Sequence, residues 1–458
     1  MTDPVRSSAG SMALAQASAP PPAPAVSAQS QTTQQSVADR VRDLTSYAWN
    51  DWSVSRDDQT QVVNLLRTDP NLNATLRDLS GDANLFGTSS LTAVVKRVDD
   101  PALRRQLIDV LATRSDAANA TTVRGELDKL DTAVVSGLGG GGGVSVNSNL
   151  WQVRFNLVRG GVPTTGPAFD RTPYAGLVSS DPTQPFTGAG ASGVDPTARG
   201  VPLGDQWNML TGDDATTQRY SNPVGSLPGY LSSLPPGDRV RQAELFLRQP
   251  IASPMGEVWG DRPPTRAQVI EVAARQYNLD PATLGAFLLA EQRDQSALED
   301  AKDYTAVVNA NHNGSVGLGQ VVISTARNSN LFADTVSPAT LRQAGNPAIA
   351  RLLSDDAVSI FAAARYLRQT ADAGSRETIA SLDAKTRAQN PGAASVATLL
   401  PGFNPAAYAG NSATWPAANV VALGSEYTSR PWDGAWFQNW GNFVAEARSD
   451  IVASRVFP

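Results

Sequence analysis

The sequence predicts a mainly α-helical protein, and three features carry that expectation. Apolar residues recur at three- and four-residue spacing. Val37, Val41, Leu44 and Ala48 do so near the start, Leu103, Leu107, Ile108 and Leu111 further on, and Leu284, Phe287 and Leu288 in the second half. Such spacing gathers side chains on one helix face. Start signals stand where they should. Ser55-Arg-Asp-Asp58 reads as a capping box ahead of Val62, Val63, Leu65 and Leu66, and Pro101 opens a helix where its missing N–H does no harm. Near the C-terminus Trp432, Trp436, Trp440 and Phe443 lead into Ala447 and Ile451, which predicts one long amphipathic helix. A tryptophan stripe of this kind reads as core packing before it reads as a sugar platform.

In chain order, residues 1–35 are Ala, Pro, Ser and Gln with few large apolar side chains, a composition that predicts disorder. Residues 36–136 predict a small helical domain. Residues 137–147 hold the run Gly139 to Gly143 and predict a linker. Residues 148–264 are dense in Pro, Gly, Ser and Thr and predict a loop-rich segment packing on the C-terminal domain. Within it Trp151, Val153, Phe155 and Leu157 alternate, predicting a short strand over 150–158. Residues 265–458 form that C-terminal domain.

Composition narrows the chemistry. One histidine, His312, and no cysteine predict no metal site, and no phosphate-binding glycine loop with its lysine is present, so no cofactor is expected. A net charge of −6 without a basic patch argues against nucleic acid. No run of eighteen apolar residues predicts a membrane span. The start, Met1-Thr-Asp-Pro-Val-Arg, lacks the basic region and apolar run of a conventional secretory signal.

The most informative residue is Glu291. It falls three and seven residues after Leu288 and Leu284, on the face that should pack against the core. A carboxyl withdrawn from water favours its neutral form, as a general acid requires. The bland reading makes it the point where the helix surfaces, or half of an ion pair with Arg293. After it come Glu299, Asp300, Asp303 and Tyr304, then Asn311-His-Asn-Gly314-Ser315-Val-Gly317-Leu-Gly319-Gln320. Gly314, Gly317 and Gly319 are residues that let backbone come close to a ligand. The stretch Gly424-Ser-Glu426-Tyr427 to Asp433 is polar and aromatic, predicting a cleft wall with Glu426 as a further carboxyl.

These motifs resemble the lysozyme-like superfamily, especially soluble lytic transglycosylases and goose-type lysozymes. The resemblance runs over about residues 265–440. It rests on Tyr277-Asn-Leu-Asp280-Pro281 before a helix ending in Glu291, Gly317-Leu-Gly-Gln320, Ala363-Ala-Arg-Tyr366-Leu367 and Ala406-Ala-Tyr408-Ala-Gly410-Asn411. It implies a lysozyme-like helical catalytic domain at 265–458. The implied reaction is cleavage of the β-1,4 bond between N-acetylmuramic acid and N-acetylglucosamine in peptidoglycan, with Glu291 as acid. Gln320, Gly317, Gly319 and Ser315 would hold sugar, Tyr408 would lie near the acid, and Tyr304 and His312 are further contacts. Where goose-type enzymes carry an aspartate stands Asn311, which favours a one-acid route to a 1,6-anhydro product. Asp303, or Asp300, is the alternative, as a carboxylate that activates water.

A wall-cleaving enzyme without an export signal predicts delivery by an injection apparatus or a phage-like particle, reached through the N-terminal half, with an immunity protein as a further partner. A glycan-binding module without catalysis and a chitin-directed glycosidase are the other readings of the same residues.

Overall fold

The computed structural model describes residues 35–45, 54–82, 89–135, 147–161, 236–251, 256–260, 263–294, 313–333, 335–336, 338–428, 431–434 and 438–458. Val37–Pro458 form one compact unit. The protein is mainly α, with two short strands among the described residues. In order the helices are α1 (Val37–Thr45), α2 (Arg56–Thr68), α3 (Leu72–Gly81), α4 (Ser90–Arg97), α5 (Pro101–Arg114), α6 (Ala117–Val135) and α7 (Asn147–Arg159). Then come α8 (Pro236–Arg248), α9 (Gly256–Trp259), α10 (Arg266–Gln276) and α11 (Pro281–Asp294). Strands β1 (Ser315–Val316) and β2 (Val321–Val322) precede α12 (Ile323–Asn328), α13 (Pro338–Gln343), α14 (Asn346–Leu353) and α15 (Asp356–Gly374). The chain finishes with α16 (Ile379–Gln389), α17 (Val396–Leu399), α18 (Ala417–Tyr427) and α19 (Gln438–Ser454). No helix among the described residues is long and apolar enough to cross a membrane.

The first helices form where their caps dictate. The Ser55 side chain accepts the Asp58 N–H, and the Asp100 carboxylate accepts the Ala102 and Leu103 N–H groups ahead of α5. Val41, Val62, Val63, Leu66, Leu107, Ile108 and Leu111 are all buried, as their spacing requires. Ala48 lies outside the described residues.

The expected strand over 150–158 is a helix. In α7 the alternating Trp151, Val153, Phe155 and Leu157 are buried, but so are Gln152 and Arg154 between them. Arg154 is the cause. Its Nε and Nη2 donate to the two Asp109 carboxylate oxygens at 2.8 and 2.7 Å, and Nη1 donates to the Val258 carbonyl at 2.8 Å. A satisfied guanidinium sits inside, so the polar letter marks no outer face. α7 packs against α5, α6 and α9, and α6 also meets α13. The interior is therefore continuous from the first helices to the last. α7 belongs to this interior rather than to a surface loop.

The second half is arranged around α11 and α19, which lie against each other, with α10 and α15 alongside. Buried ion pairs tie these helices. Arg266 on α10 meets Asp356 on α15 at 3.3 Å, and Arg293 on α11 meets Asp450 on α19 at 2.8 Å. α18 crosses α19 at a glycine pair. A Cβ on Gly441 would fall 1.9 Å from the Val421 carbonyl, and one on Gly424 2.9 Å from the Gly441 Cα. Only residues without a Cβ allow that approach.

The C-terminal tryptophans do not all share one helix. α19 begins at Gln438, while Trp432 lies in a preceding turn with φ +62°. Trp432 is core: its Nε1 donates to the Thr370 carbonyl at 2.8 Å, and its ring fills the place of a Cβ on Gly374. Trp440 and Phe443 are on α19 and half-buried; Trp436 lies outside the described residues.

Arg154→Ala should cost about 3 kcal/mol, since it empties a packed site and strands the Val258 carbonyl. Urea unfolding of the whole chain measures it. Loss below about 0.5 kcal/mol would mean that the clasp contributes nothing to the shared interior.

Candidate active site

α11 starts with Pro281 and is capped by Asp280. The Asp280 carboxylate accepts the Thr283 N–H at 2.9 Å and the Thr283 hydroxyl at 2.8 Å. The Asp280 N–H donates to the Ser412 hydroxyl at 2.6 Å, and Arg448 from α19 donates to the Thr283 hydroxyl at 2.9 Å. The helix start is thus fastened from two sides. Leu284, Phe287 and Leu288 are buried along its length.

Its far end carries three polar residues with different duties. Gln292 is buried, and its amide donates to the Leu318 carbonyl at 3.4 Å, in the turn of the β-hairpin. Arg293 pairs with Asp450 and donates to the Arg239 carbonyl at 3.2 Å. Glu291 is half-buried and faces Tyr427: burial first, and then the charge of Glu291, push the Tyr427 phenol well above its usual range.

Tyr427 joins the parts. It ends α18, and its hydroxyl donates to the Gly319 carbonyl at 2.7 Å. Its ring meets Phe287 edge-on at 5.4 Å, one turn before Glu291, and Tyr366 of α15 at 5.1 Å. One side chain therefore touches the acid-bearing helix, the hairpin turn and the central helix.

The hairpin pairs Ser315 with Val322 and Val316 with Val321. Its base is closed by Asn313, whose amide donates to the Ser324 hydroxyl at 2.9 Å and whose carbonyl accepts the Ser324 N–H at 2.7 Å. The turn has Gly317 at φ +81° and Gln320 at φ +45°. It is seated on α15: the Gly319 N–H donates to the buried Ser359 hydroxyl at 3.1 Å.

Two comparisons bear on this arrangement. Residues 186–372 match the family model of the catalytic domain of Tse3, a peptidoglycan muramidase of type VI secretion, and residues 35–145 match the model of its N-terminal domain. The peptidoglycan muramidase Tse3 of Pseudomonas aeruginosa is 37% identical over 423 residues, covering 91% of this chain and 98% of the relative. The chain belongs to the Tse3 family.

In this Tse3 family member the catalytic-domain match takes in α11, the hairpin and most of α15. Glu291, Gly319 and Gln320 are brought into one region through Tyr427, Gln292 and Ser359. Ser315 stands half-buried on β1. Gln320 is half-buried, its amide donating to the Gly317 carbonyl at 2.9 Å. Gly317 and Gly319 meet close neighbours within the fold. A Cβ on Gly317 would lie 1.9 Å from the Leu353 carbonyl, and one on Gly319 2.7 Å from the Ala363 Cβ. They let the turn sink onto its neighbours.

Tyr408 is held by partners of its own. It is fully buried in a short 3-10 turn, its hydroxyl donating to the Asn419 carbonyl at 2.7 Å and its ring against Trp415 at 5.0 Å. Tyr427, which feels the Glu291 charge, is presented by the sequence only as part of a cleft wall. That wall is in fact a helix end, and Glu426 within it is buried. Asp300, Asp303, Tyr304 and His312 lie outside the described residues.

Two substitutions test the turn. Tyr427→Phe should cost about 1–2 kcal/mol by leaving the Gly319 carbonyl unpaired. Gly317→Ala should cost more, about 3 kcal/mol, because neither its φ nor its space admits a side chain. Denaturant unfolding ranks them, and a Gly317→Ala variant as stable as wild type would contradict the seating of the hairpin.

Proposed function

We infer that this protein is a muramidase that cleaves the glycan strands of peptidoglycan, as the Tse3 family does, and that Glu291 is its general acid. The observation that carries the assignment is the position of Glu291. It ends an apolar helix, half withdrawn from water, beside a buried tyrosine and a hairpin turn held on several sides. A carboxyl in such surroundings can hold its proton until the glycosidic oxygen approaches, then deliver it as the oxocarbenium-like transition state develops. Fixing the acid through Gln292, Arg293 and Tyr427 keeps it at one distance from the bond, which is where most of the advantage of a held catalyst comes from.

Gln320 and Ser315, half-exposed on the hairpin, bind sugar hydroxyl or N-acetyl groups in this reading. The cleaved C1 is captured by one of two nucleophiles, a water or the sugar's own hydroxyl. Asp303 or Asp300 activates the water, giving a reducing muramic end. Otherwise the 6-hydroxyl of the sugar closes on C1, giving a 1,6-anhydro end, and no second carboxylate is needed. The protein acts outside the cytoplasm of the target cell after delivery by a type VI apparatus, and the producing cell needs an immunity protein against it.

Glu291→Gln should leave the folded state intact and lower muropeptide release by about a thousandfold or more, as loss of an essential proton donor does. Turnover within about tenfold of wild type would remove the assignment. Mass spectrometry of the wild-type products separates the two nucleophiles: reducing ends alone keep a role for Asp303 or Asp300, and 1,6-anhydro ends alone remove it.

A further inference from the structure

Glu426 is a buried acid that the reaction above leaves unused. It precedes Tyr427 in the last turn of α18 and reaches the turn that carries Trp432. It is wholly buried. One carboxyl oxygen, Oε2, accepts the N–H of Trp432, and the other, Oε1, has no hydrogen-bond partner among the described residues.

Around it the turn 431–434 is held at several points. The Lys385 ammonium donates to the Trp432 carbonyl at 3.0 Å and to Glu377 at 2.6 Å. The Trp432 indole donates to the Thr370 carbonyl and lies parallel to Phe403, centroids 6.3 Å apart. Trp432 itself has φ +62°, a conformation a bulky residue keeps only where its surroundings enforce it. Glu426 links this turn directly to the helix bearing Tyr427.

We propose that Glu426 is a positioning residue for glycan cleavage: by accepting the Trp432 N–H it fixes the last turn of α18, and so holds Tyr427 against the Gly319 carbonyl and against Phe287 on the helix that bears Glu291. This rests on the reading of Glu291 as the acid. A helix end frays unless something secures it, and here the securing group sits one residue from the tyrosine that organises the site.

The charged and titratable neighbours make this carboxyl sensitive to pH: once ionised it keeps the Trp432 N–H but places a charge in a buried site, which strains the helix end. Burial pushes the Glu426 carboxyl up, the Trp432 N–H opposes that, Asp433 adds to it, Lys385 opposes it and Glu377 adds to it again, leaving it at about 8. Tyr366 and Tyr408 face it as phenols, each raised first by burial and then by Glu426. The folded protein therefore holds a proton that the unfolded chain releases near 4.5. Stability contributed by this group falls as pH rises from about 4.5 to about 8 and levels off above.

The test uses the full chain and three variants, Glu426→Gln, Glu426→Leu and Glu291→Gln. Glutamine keeps an acceptor for the Trp432 N–H and cannot ionise. On solubilised glycan strands at about pH 7, Glu426→Gln should retain kcat within about threefold, and Glu426→Leu should lose about tenfold in kcat with KM little changed. Above about pH 8 wild-type kcat should fall relative to Glu426→Gln. The Tm difference between wild type and Glu426→Gln should shift by several degrees from about pH 5 to about pH 8. Equal kcat–pH profiles for wild type and Glu426→Gln, or full kcat in a folded Glu426→Leu, overturns the proposal; should Glu426→Leu not fold, the pH profiles decide. Failure of the Glu291 reading shows separately, as activity retained by Glu291→Gln, while the Tm comparison repeated in a Glu291→Gln background still reports on Glu426.

Discussion

The hydrogen bond from the Tyr427 hydroxyl to the Gly319 carbonyl is the contact on which the candidate site depends. Without it, the hairpin turn and the helix bearing Glu291 would rely on Gln292 and apolar packing to stay in register. With it, the last turn of α18, the hairpin and α11 form a closed set of contacts around one phenol. Ser359 supplies the floor from α15. The turn is located from below, from the side and from the end of the acid-bearing helix. A site meant to act on a polymer gains from this rigidity, because a long, stiff substrate does not adapt to a loose acid.

Charge inside the protein follows the same logic of closure. Arg154, Arg266 and Arg293 are all buried, and each has its carboxylate: Asp109, Asp356 and Asp450. Such pairs add little net stability over apolar residues of the same size, but each accepts one partner in one geometry. They join α7 to α5, α10 to α15 and α11 to α19, contacts between helices distant in sequence. Apolar faces alone would let these helices slide; the two-pronged contact of Arg154 with Asp109 and the single contacts of Arg266 and Arg293 set the register.

What the sequence disclosed and what it concealed divide along this line. The burial of Leu284, Phe287 and Leu288 and the placing of Glu291 at the end of their stripe were legible, because helical spacing is a local signal. So were the cap at Ser55 and the helix start at Pro101. The special backbone of the glycine turn was legible too, but not what comes close to it. The spacing of Gly317 and Gly319 says that something must approach, and only the fold shows that it is Leu353 and Ala363. The helix at 147–159 is easily misread because Gln152 and Arg154 look like an outer face. The burial of Arg154 depends on Asp109, far back in the chain. The role of Tyr427 is hidden for a similar reason: Tyr408 sits in the more recognisable string of letters, Tyr427 at a helix end whose direction no string encodes.

The placement of α7 has a consequence for the integrity of the chain. Its sequence comes after a glycine run, yet its side chains are locked into the helices that precede that run and, through Val258, into those beyond it. A break in the polypeptide between α6 and α7 would sever the covalent chain without dividing the hydrophobic interior. The two fragments would keep matching halves of one interface, so a nicked molecule should remain assembled where a truncated one would not.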